Sequence, residues 1–120
     1  MPRFSHAVWD DGVDVRITTV DTLVEEHGEP DFIKIDVEGY DKYVIAGMTR
    51  KYGDSLLFEF VSERSEDAIK CVKKLSSIGY TKFKVDHKCG FSNFPMDIDD
   101  MIENLSKNMK VGAWGNITAS

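Results

Sequence analysis

The chain has 120 residues, of which 42% are hydrophobic and 30% charged, so one folded domain is expected and a disordered chain is excluded. The net charge of −6 argues against nucleic-acid binding, because polynucleotide-binding proteins neutralise phosphates with a basic surface. Two cysteines and the lack of a long apolar stretch argue against a secreted disulfide scaffold and a membrane span, and they predict a cytoplasmic protein with reduced thiols.

The N-terminal part of the chain predicts a strand and a short helix. A period-two pattern over residues 13–18 indicates a strand whose buried face carries Val13, Val15 and Ile17. A helix over residues 22–27 should follow, with Asp21 as its N-cap and Gly28 as its C-terminal stop.

Two apolar runs next predict buried strands joined by a helix. Residues 31–37 form the first run and residues 55–61 the second, which we expect to be covered on both faces. Between them, a helical stripe that ends before Gly53 carries Tyr40, Val44 and Met48.

The C-terminal half contains the clearest helical pattern. It begins at Ser65, a candidate cap, ends at Gly79 and carries Ala68, Ile69, Val72, Leu75 and Ile78 on one face. Residues 80–86 alternate apolar residues with lysines, as expected of a strand near a sheet edge. A last helix should carry Ile98, Met101, Ile102, Leu105 and Met109, and residues 111–119 predict a closing strand.

Alternating strands and helices predict the α/β class. Right-handed crossovers favour a mainly parallel sheet flanked by helices, and an antiparallel closing strand would make the sheet mixed. Because no repeat or linker interrupts the pattern, we expect residues 1–120 to form a single domain.

The acidic end of the run at residues 31–37 is the main candidate site, since ligands in open α/β sheets bind beyond the carboxyl ends of strands. In an extended backbone, Asp36 and Glu38 would project to one side and raise the pKa of one carboxyl, as a general base requires. Gly39 would allow a ligand to approach closely. Alternatively, Asp36, Glu38 and Asp41 only favour the N-terminus of the next helix.

Other polar residues allow two interpretations each. Lys34 either orients a carboxylate or ligand, or extends into solvent as a spacer. His87 and Cys89 fall short of a zinc pattern without a second ligand pair, and Cys71 is expected to be a small buried side chain.

Two further groups of residues are most simply explained by the fold. The start of the predicted last helix carries four acids, Asp97, Asp99, Asp100 and Glu103. Their favourable interaction with the helix dipole explains them better than a calcium site would. The second group consists of three aromatic residues, Phe91, Phe94 and Trp114. They either line a substrate pocket or cover the sheet, and we favour the second interpretation.

Three ordered blocks resemble FkbM-type methyltransferases. The run DFIKIDVEGYD at residues 31–41 is similar to the family's KIDVEG signature, with Asp41 where glutamate is more usual. Upstream, ITTVDTL at residues 17–23 resembles a threonine-rich strand followed by Asp and Leu, and downstream LFEF at residues 57–60 resembles the next strand. The resemblance spans about residues 13–61.

The resemblance implies the back half of a class I, Rossmann-like methyltransferase that transfers methyl from S-adenosylmethionine to the hydroxyl of a small molecule, such as a sugar or secondary metabolite. It implies Asp36 as the acceptor-side base or the contact to the cofactor's amine, Glu38 as its partner and Lys34 as an orienting charge. Gly39 would adjoin the cofactor, and Glu59 and Asp41 would bind substrate.

The chain departs from the family at the cofactor's glycine-rich turn, since none of its nine glycines forms such a turn after an early strand. We therefore expect a partial domain that lacks the N-terminal glycine-loop portion. The strand at residues 31–37 would then keep one unpaired edge, which predicts self-association or a missing N-terminal partner segment.

Two other functions remain open from the sequence. A non-catalytic module could act through association alone. A metal-dependent hydrolase could use Asp36 and Glu38 as cation ligands, although the lysine, hydroxyl and second acidic cluster of such sites are not evident.

Overall fold

The structure is a computed structural model that describes residues 13–85, 94–108 and 112–120, and within them the chain forms four strands and four α-helices. Helices and strands alternate along the chain as α1 (Val20–His27), β1 (Phe32–Lys34), α2 (Asp41–Ala46), β2 (Ser55–Val61), α3 (Ser65–Ser77), β3 (Phe83–Val85), α4 (Ile98–Glu103) and β4 (Trp114–Ala119). A 3-10 turn, Ser62–Arg64, joins β2 to α3, and a π-helical turn, Asn104–Asn108, extends α4. No helix in these ranges is long and apolar enough to cross a membrane.

The four strands form one mixed sheet in the order β1-β2-β4-β3. β1 runs parallel to β2, whereas β4 runs antiparallel to both β2 and β3. The α/β class, the mixed sheet and the antiparallel closing strand are confirmed. The expectation that the sheet is mainly parallel is wrong, because β4 enters between β2 and β3 in the opposite direction.

The core lies between one face of the sheet and α3, and α2 and α4 pack against α3 and add buried residues to it. β2 has the predicted bounds and alternates along its length, with Leu56, Phe58 and Phe60 buried while Glu59 on the opposite face is exposed. The expected cover on both faces is therefore wrong. α3 confirms the clearest helical pattern by burying Ala68, Cys71, Val72 and Leu75.

β1 is an edge strand and not the predicted buried strand. Only Phe32–Lys34 of the run at residues 31–37 form a strand, and both Phe32 and Lys34 are exposed. β1 pairs with β2 alone among the described strands, and the predicted unpaired edge stays a prediction because residues 1–12 lie outside the described residues.

The predicted strand at residues 13–18 is wrong. These residues form no strand, and the side chains of Val13, Val15 and Ile17 are all exposed. An alternating pattern indicates which face of a strand would be buried. The segment forms a strand only where another strand supplies hydrogen-bond partners. No described strand lies beside this segment.

The first two helices differ from their predicted bounds. α1 begins at Val20, because the Thr19 hydroxyl and not Asp21 accepts the capping hydrogen bond from Thr22 N–H, and it ends at Gly28 as predicted. The Asp21 carboxylate instead accepts hydrogen bonds from Thr49 and Tyr52, which ties α1 to the segment before β2.

α2 is shorter than the predicted stripe. The helix ends at Ala46, and Met48 is fully buried just beyond it. Tyr40 precedes the helix and is partly exposed. Two residues of the predicted apolar stripe, Tyr40 and Met48, therefore lie outside the helix.

In the C-terminal part, β3 lies at the second sheet edge as predicted. Asp97 caps α4 by accepting from Asp100 N–H, and Asp99 and Asp100 lie in the first turn, which confirms the helix-start interpretation for these three acids. The interpretation is wrong for Glu103, which is the last residue of α4. Phe94 and Trp114 are largely exposed, so the prediction that they cover the sheet is wrong for both. His87, Cys89, Phe91 and Met109 lie outside the described residues.

Gly53 lies in the turn that leads into β2, and its replacement tests how closely this turn packs. Its φ is +64°, and a Cβ there would lie against the carbonyl oxygens of Pro30 and Asp31. We expect Gly53→Ala to lower the free energy of unfolding by about 3 kcal/mol, since strain and a backbone clash add. Gly28→Ala is the matched control, because φ is +95° there but no atom lies within 4 Å, and about 1 kcal/mol is expected. Urea unfolding measures both, and equal losses would contradict the packing of this turn.

Candidate functional site

The carboxyl ends of β1 and β2 lie side by side because the two strands are parallel. A cleft of about 250 Å³ lies between these ends and α3. We call it the acidic cleft, and its charged lining consists of Asp36, Glu38, Asp41, Glu59, Asp67, Lys42 and Arg64. Five carboxyl groups and two cations therefore face one small space.

A tight turn brings Asp36 and Glu38 to the cleft. Tyr40 N–H donates to the Val37 carbonyl oxygen at 3.3 Å, and the central residues Glu38 and Gly39 have φ of 52° and 91°. Positive φ at both central positions is what a type I′ turn requires. The extended backbone on which the predicted projection of Asp36 and Glu38 to one side depended is therefore not present at Glu38, although both carboxylates do line the same cleft.

Asp41 is the buried anchor of this turn. The residue is only 6% exposed, and its two carboxylate oxygens accept from Val37 N–H at 3.4 Å and from Glu59 N–H at 3.1 Å. Burial raises the pKa of Asp41 and the charge of Asp36 adds to the rise, while the backbone hydrogen bonds oppose it. Asp41 thus joins the start of α2 to the turn after β1 and to β2.

The structure places the other predicted site residues as follows. Gly39 and Glu59 line the acidic cleft, and Glu59 is exposed at its rim. Lys34 is exposed and lines a separate groove beside α1, so the structure does not bring it into the cleft of its own chain. Asp41 lines the cleft, but both of its oxygens are occupied by the backbone.

Sequence reasoning missed both cations of the cleft. Lys42 Nζ lies 3.1 Å from Asp67 Oδ1, which links α2 to α3. Arg64 lies opposite Gly39, where an added Cβ would come within 2.9 Å of its guanidinium. The signals available in the sequence were two basic residues, Lys42 shortly after the DVEG run and Arg64 in the turn after β2.

Cys71 forms part of the floor of the acidic cleft. Burial raises the pKa of its thiol to about 12, and the negative charge of Asp41 contributes to the rise. The thiol is therefore neutral at ordinary pH and is not a nucleophile. This confirms the prediction of a small buried side chain.

The cleft is small for the cofactor that the resemblance implies. Small-molecule sites usually measure about 300–1,000 Å³, so this space fits an acceptor or one end of S-adenosylmethionine, but not both. The exposed carboxylates of Asp36 and Glu38 suit an ammonium group or hydroxyls. A complete cofactor site is not formed by these residues alone.

No metal site is evident in the described ranges, where no three His, Cys, Asp or Glu side chains are grouped to hold an ion.

The role of Asp41 can be tested by removing its carboxylate. Asp41→Ala leaves the N–H groups of Val37 and Glu59 without an acceptor, and we expect the free energy of unfolding at pH 7 to fall by about 2 kcal/mol. Asp54→Ala removes an exposed carboxylate at the opposite end of β2 and should change it by less than about 0.5 kcal/mol.

The pH dependence gives an independent readout of the same group. Because the pKa of Asp41 is raised in the folded state, its protonated form adds stability at low pH, and that contribution is lost as pH rises from its ordinary pKa of 3.8 through the raised one. The stability difference between wild type and Asp41→Ala should therefore shrink over this interval. A difference that grows with pH would contradict the burial of this carboxyl.

The comparisons with known proteins agree with the motif at this cleft. The sequence model of the methyltransferase FkbM domain matches residues 2–108, which extends the resemblance beyond residues 13–61 on both sides. No curated protein and no solved structure matches the chain. The mixed α/β sheet is consistent with a methyltransferase domain, and the family indicates methyl transfer as the reaction class. The chain therefore belongs to the FkbM methyltransferase family.

Proposed function

We propose that the chain supplies the acceptor side of an S-adenosylmethionine-dependent O-methyltransferase. The observation that carries the proposal is the position of the family motif, since Asp36, Glu38 and Gly39 line a cleft at the carboxyl ends of two parallel strands. The substrate would be a small molecule with a free hydroxyl, such as a sugar or a secondary metabolite. The chain has only two cysteines and no disulfide framework in its sequence, which supports a location in the reducing cytoplasm.

The proposed chemistry uses the exposed carboxylates of the cleft. S-adenosylmethionine, when bound, would supply the electrophilic methyl group, whose bond to sulfur breaks on transfer, and would leave as S-adenosylhomocysteine. Asp36 takes the proton from the acceptor hydroxyl as the new carbon–oxygen bond forms, and Glu38 and Glu59 accept hydrogen bonds from neighbouring hydroxyls. Most of the acceleration would come from holding the acceptor oxygen in line with the methyl group.

The charge of the cleft supports a neutral acceptor. Five carboxyl groups outnumber two cations, and one cation, Lys42, is already paired with Asp67. A phosphorylated or carboxylated acceptor would meet this excess of negative charge at close range. Sugars and other polyols instead offer hydroxyl donors to the carboxylates.

A second candidate is a non-catalytic module that acts through association. Two observations favour it, namely the lack of a glycine-rich turn after an early strand and the unpaired edge of β1 among the described residues. Cofactor binding separates the two candidates.

The first experiment is calorimetric titration of the purified chain with S-adenosylhomocysteine. Micromolar binding would support the methyltransferase. A folded chain that does not bind would favour the non-catalytic module, and the roles given to Asp36 and Glu38 would then not apply to this chain alone.

The role of Asp36 is tested by methyl transfer from radiolabelled cofactor to a panel of neutral sugars. We expect Asp36→Asn to lower kcat by about 10²–10⁴, as for loss of a general base, with unchanged affinity for S-adenosylhomocysteine. Asp54→Asn is the matched control at the opposite end of β2 and should retain full activity. Full activity in Asp36→Asn would exclude the base assigned here.

A further inference from the structure

Arg64 is the cation of the acidic cleft that the proposed chemistry leaves unused. The other cation of the cleft, Lys42, is paired with Asp67 at 3.1 Å. The side chain of Arg64 forms no ion pair or hydrogen bond with any residue that the structure describes, although five carboxyl groups line the same cleft. The N–H donors of its guanidinium are therefore available to a ligand.

The fold places this guanidinium against the motif turn. Arg64 ends the 3-10 turn after β2, and Gly39 lies in the tight turn after β1. A Cβ on Gly39 would come within 2.9 Å of Arg64 Nη1, which is closer than side-chain carbons normally approach. The missing side chain of Gly39 therefore leaves the space that the guanidinium occupies. The guanidinium and the carboxylates of Asp36 and Glu38 thus line one cleft.

Hydrogen-bond donors and acceptors of the cleft lie on different side chains. Ionised carboxylates only accept hydrogen bonds, and a guanidinium only donates them. A hydroxyl does both, so one hydroxyl of a bound ligand can donate to Glu59 and accept from Arg64. Such a hydroxyl is held by two charge-assisted hydrogen bonds, which are stronger than neutral ones.

The hydroxyl that is methylated is not the productive partner of Arg64. Its proton passes to Asp36, and a lone pair of its oxygen attacks the methyl group. A guanidinium hydrogen bond to that oxygen would weaken in the transition state, where the lone pair enters the new bond, and would therefore slow the transfer. The partner of Arg64 is thus a second oxygen. In a cleft of about 250 Å³, that oxygen belongs to the carbon next to the one that carries the acceptor hydroxyl.

A charged group in place of this second hydroxyl is disfavoured. A carboxylate or phosphate would pair with Arg64, but it would also meet five carboxyl groups in the same small space. A neutral hydroxyl takes the hydrogen bond without that repulsion.

We propose that Arg64 is a specificity-determining residue, which donates to the hydroxyl next to the one that is methylated, and that the acceptor is therefore a vicinal diol. The inference rests on the proposed function, because that function places the acceptor in the acidic cleft. It adds a substrate class and a role for a residue outside the family motif.

Binding of two isomeric diols to the isotope-labelled chain, followed by nuclear magnetic resonance, tests the substrate class without methyl transfer. The vicinal isomer is trans-cyclohexane-1,2-diol, and the separated isomer, trans-cyclohexane-1,4-diol, has the same composition. We expect the vicinal isomer to bind wild type about tenfold more tightly, as for one hydrogen bond to a charged group, and to shift the amide signals of Gly39 and Arg64. Equal affinities, or no binding of either isomer, would overturn the inference.

Substitution of Arg64 tests its role in this preference. In Arg64→Ala both isomers should bind within about twofold of each other, while affinity for the separated isomer stays near that of wild type. Arg64→Lys keeps a cationic donor without the guanidinium geometry and should retain a preference of about threefold. Lys73→Ala is the matched control, because it removes a positive charge from an exposed position of α3 outside the cleft, and it should keep the wild-type preference. The amide spectra show whether each variant is folded, and a tenfold preference that persists in Arg64→Ala would overturn the role of Arg64.

Methyl transfer from radiolabelled cofactor separates this inference from the proposed function. With the vicinal isomer, Arg64→Ala should raise KM about tenfold and leave kcat within about threefold, because the lost hydrogen bond holds the substrate equally in the ground and transition states. A wild-type chain that prefers the vicinal isomer in binding but methylates neither would contradict the proposed function, while its binding would still support selection by Arg64. A wild-type chain that methylates both isomers with equal kcat/KM would overturn the inference and leave the proposed function intact.

Discussion

The carboxylate of Asp41 is the constraint on which the candidate site depends. It accepts hydrogen bonds from Val37 N–H, in the turn after β1, and from Glu59 N–H, on β2. Its burial is unfavourable for a charge and raises its pKa, and the two N–H donors offset part of that cost. The exposed carboxylates of Asp36 and Glu38 can face one cleft because a buried carboxylate holds the turn between them.

The sequence predicted best those strands and helices whose apolar periodicity corresponds to burial within the described part of the chain. β2 and α3 contact each other in the core, so the apolar periodicity of Leu56 or Val72 reflects burial that takes place. The segment at residues 13–18 has an equally regular alternation and forms no strand. Periodicity shows which residues favour burial, but a strand also needs a partner, and nothing local encodes where that partner lies.

The candidate site was predictable only in its continuous part. The run from Asp36 to Gly39 is adjacent in sequence, whereas Arg64 and Asp67 reach the cleft through the turn and helix after β2. Their arrival depends on the parallel pairing of β1 with β2, which is a tertiary feature. The role of Asp41 was likewise hidden, because an acid at the start of a helix has an adequate local explanation in the helix dipole.

The acidic cleft lies just beyond β1, since Asp36 follows the last residue of the strand by two positions and lines the cleft. The core of the molecule does not depend on this end of β1, because its most buried residues, such as Phe58, Leu75 and Ile117, lie on β2, α3 and β4. A change at this end of β1 can therefore alter the charge of the cleft while the core stays intact.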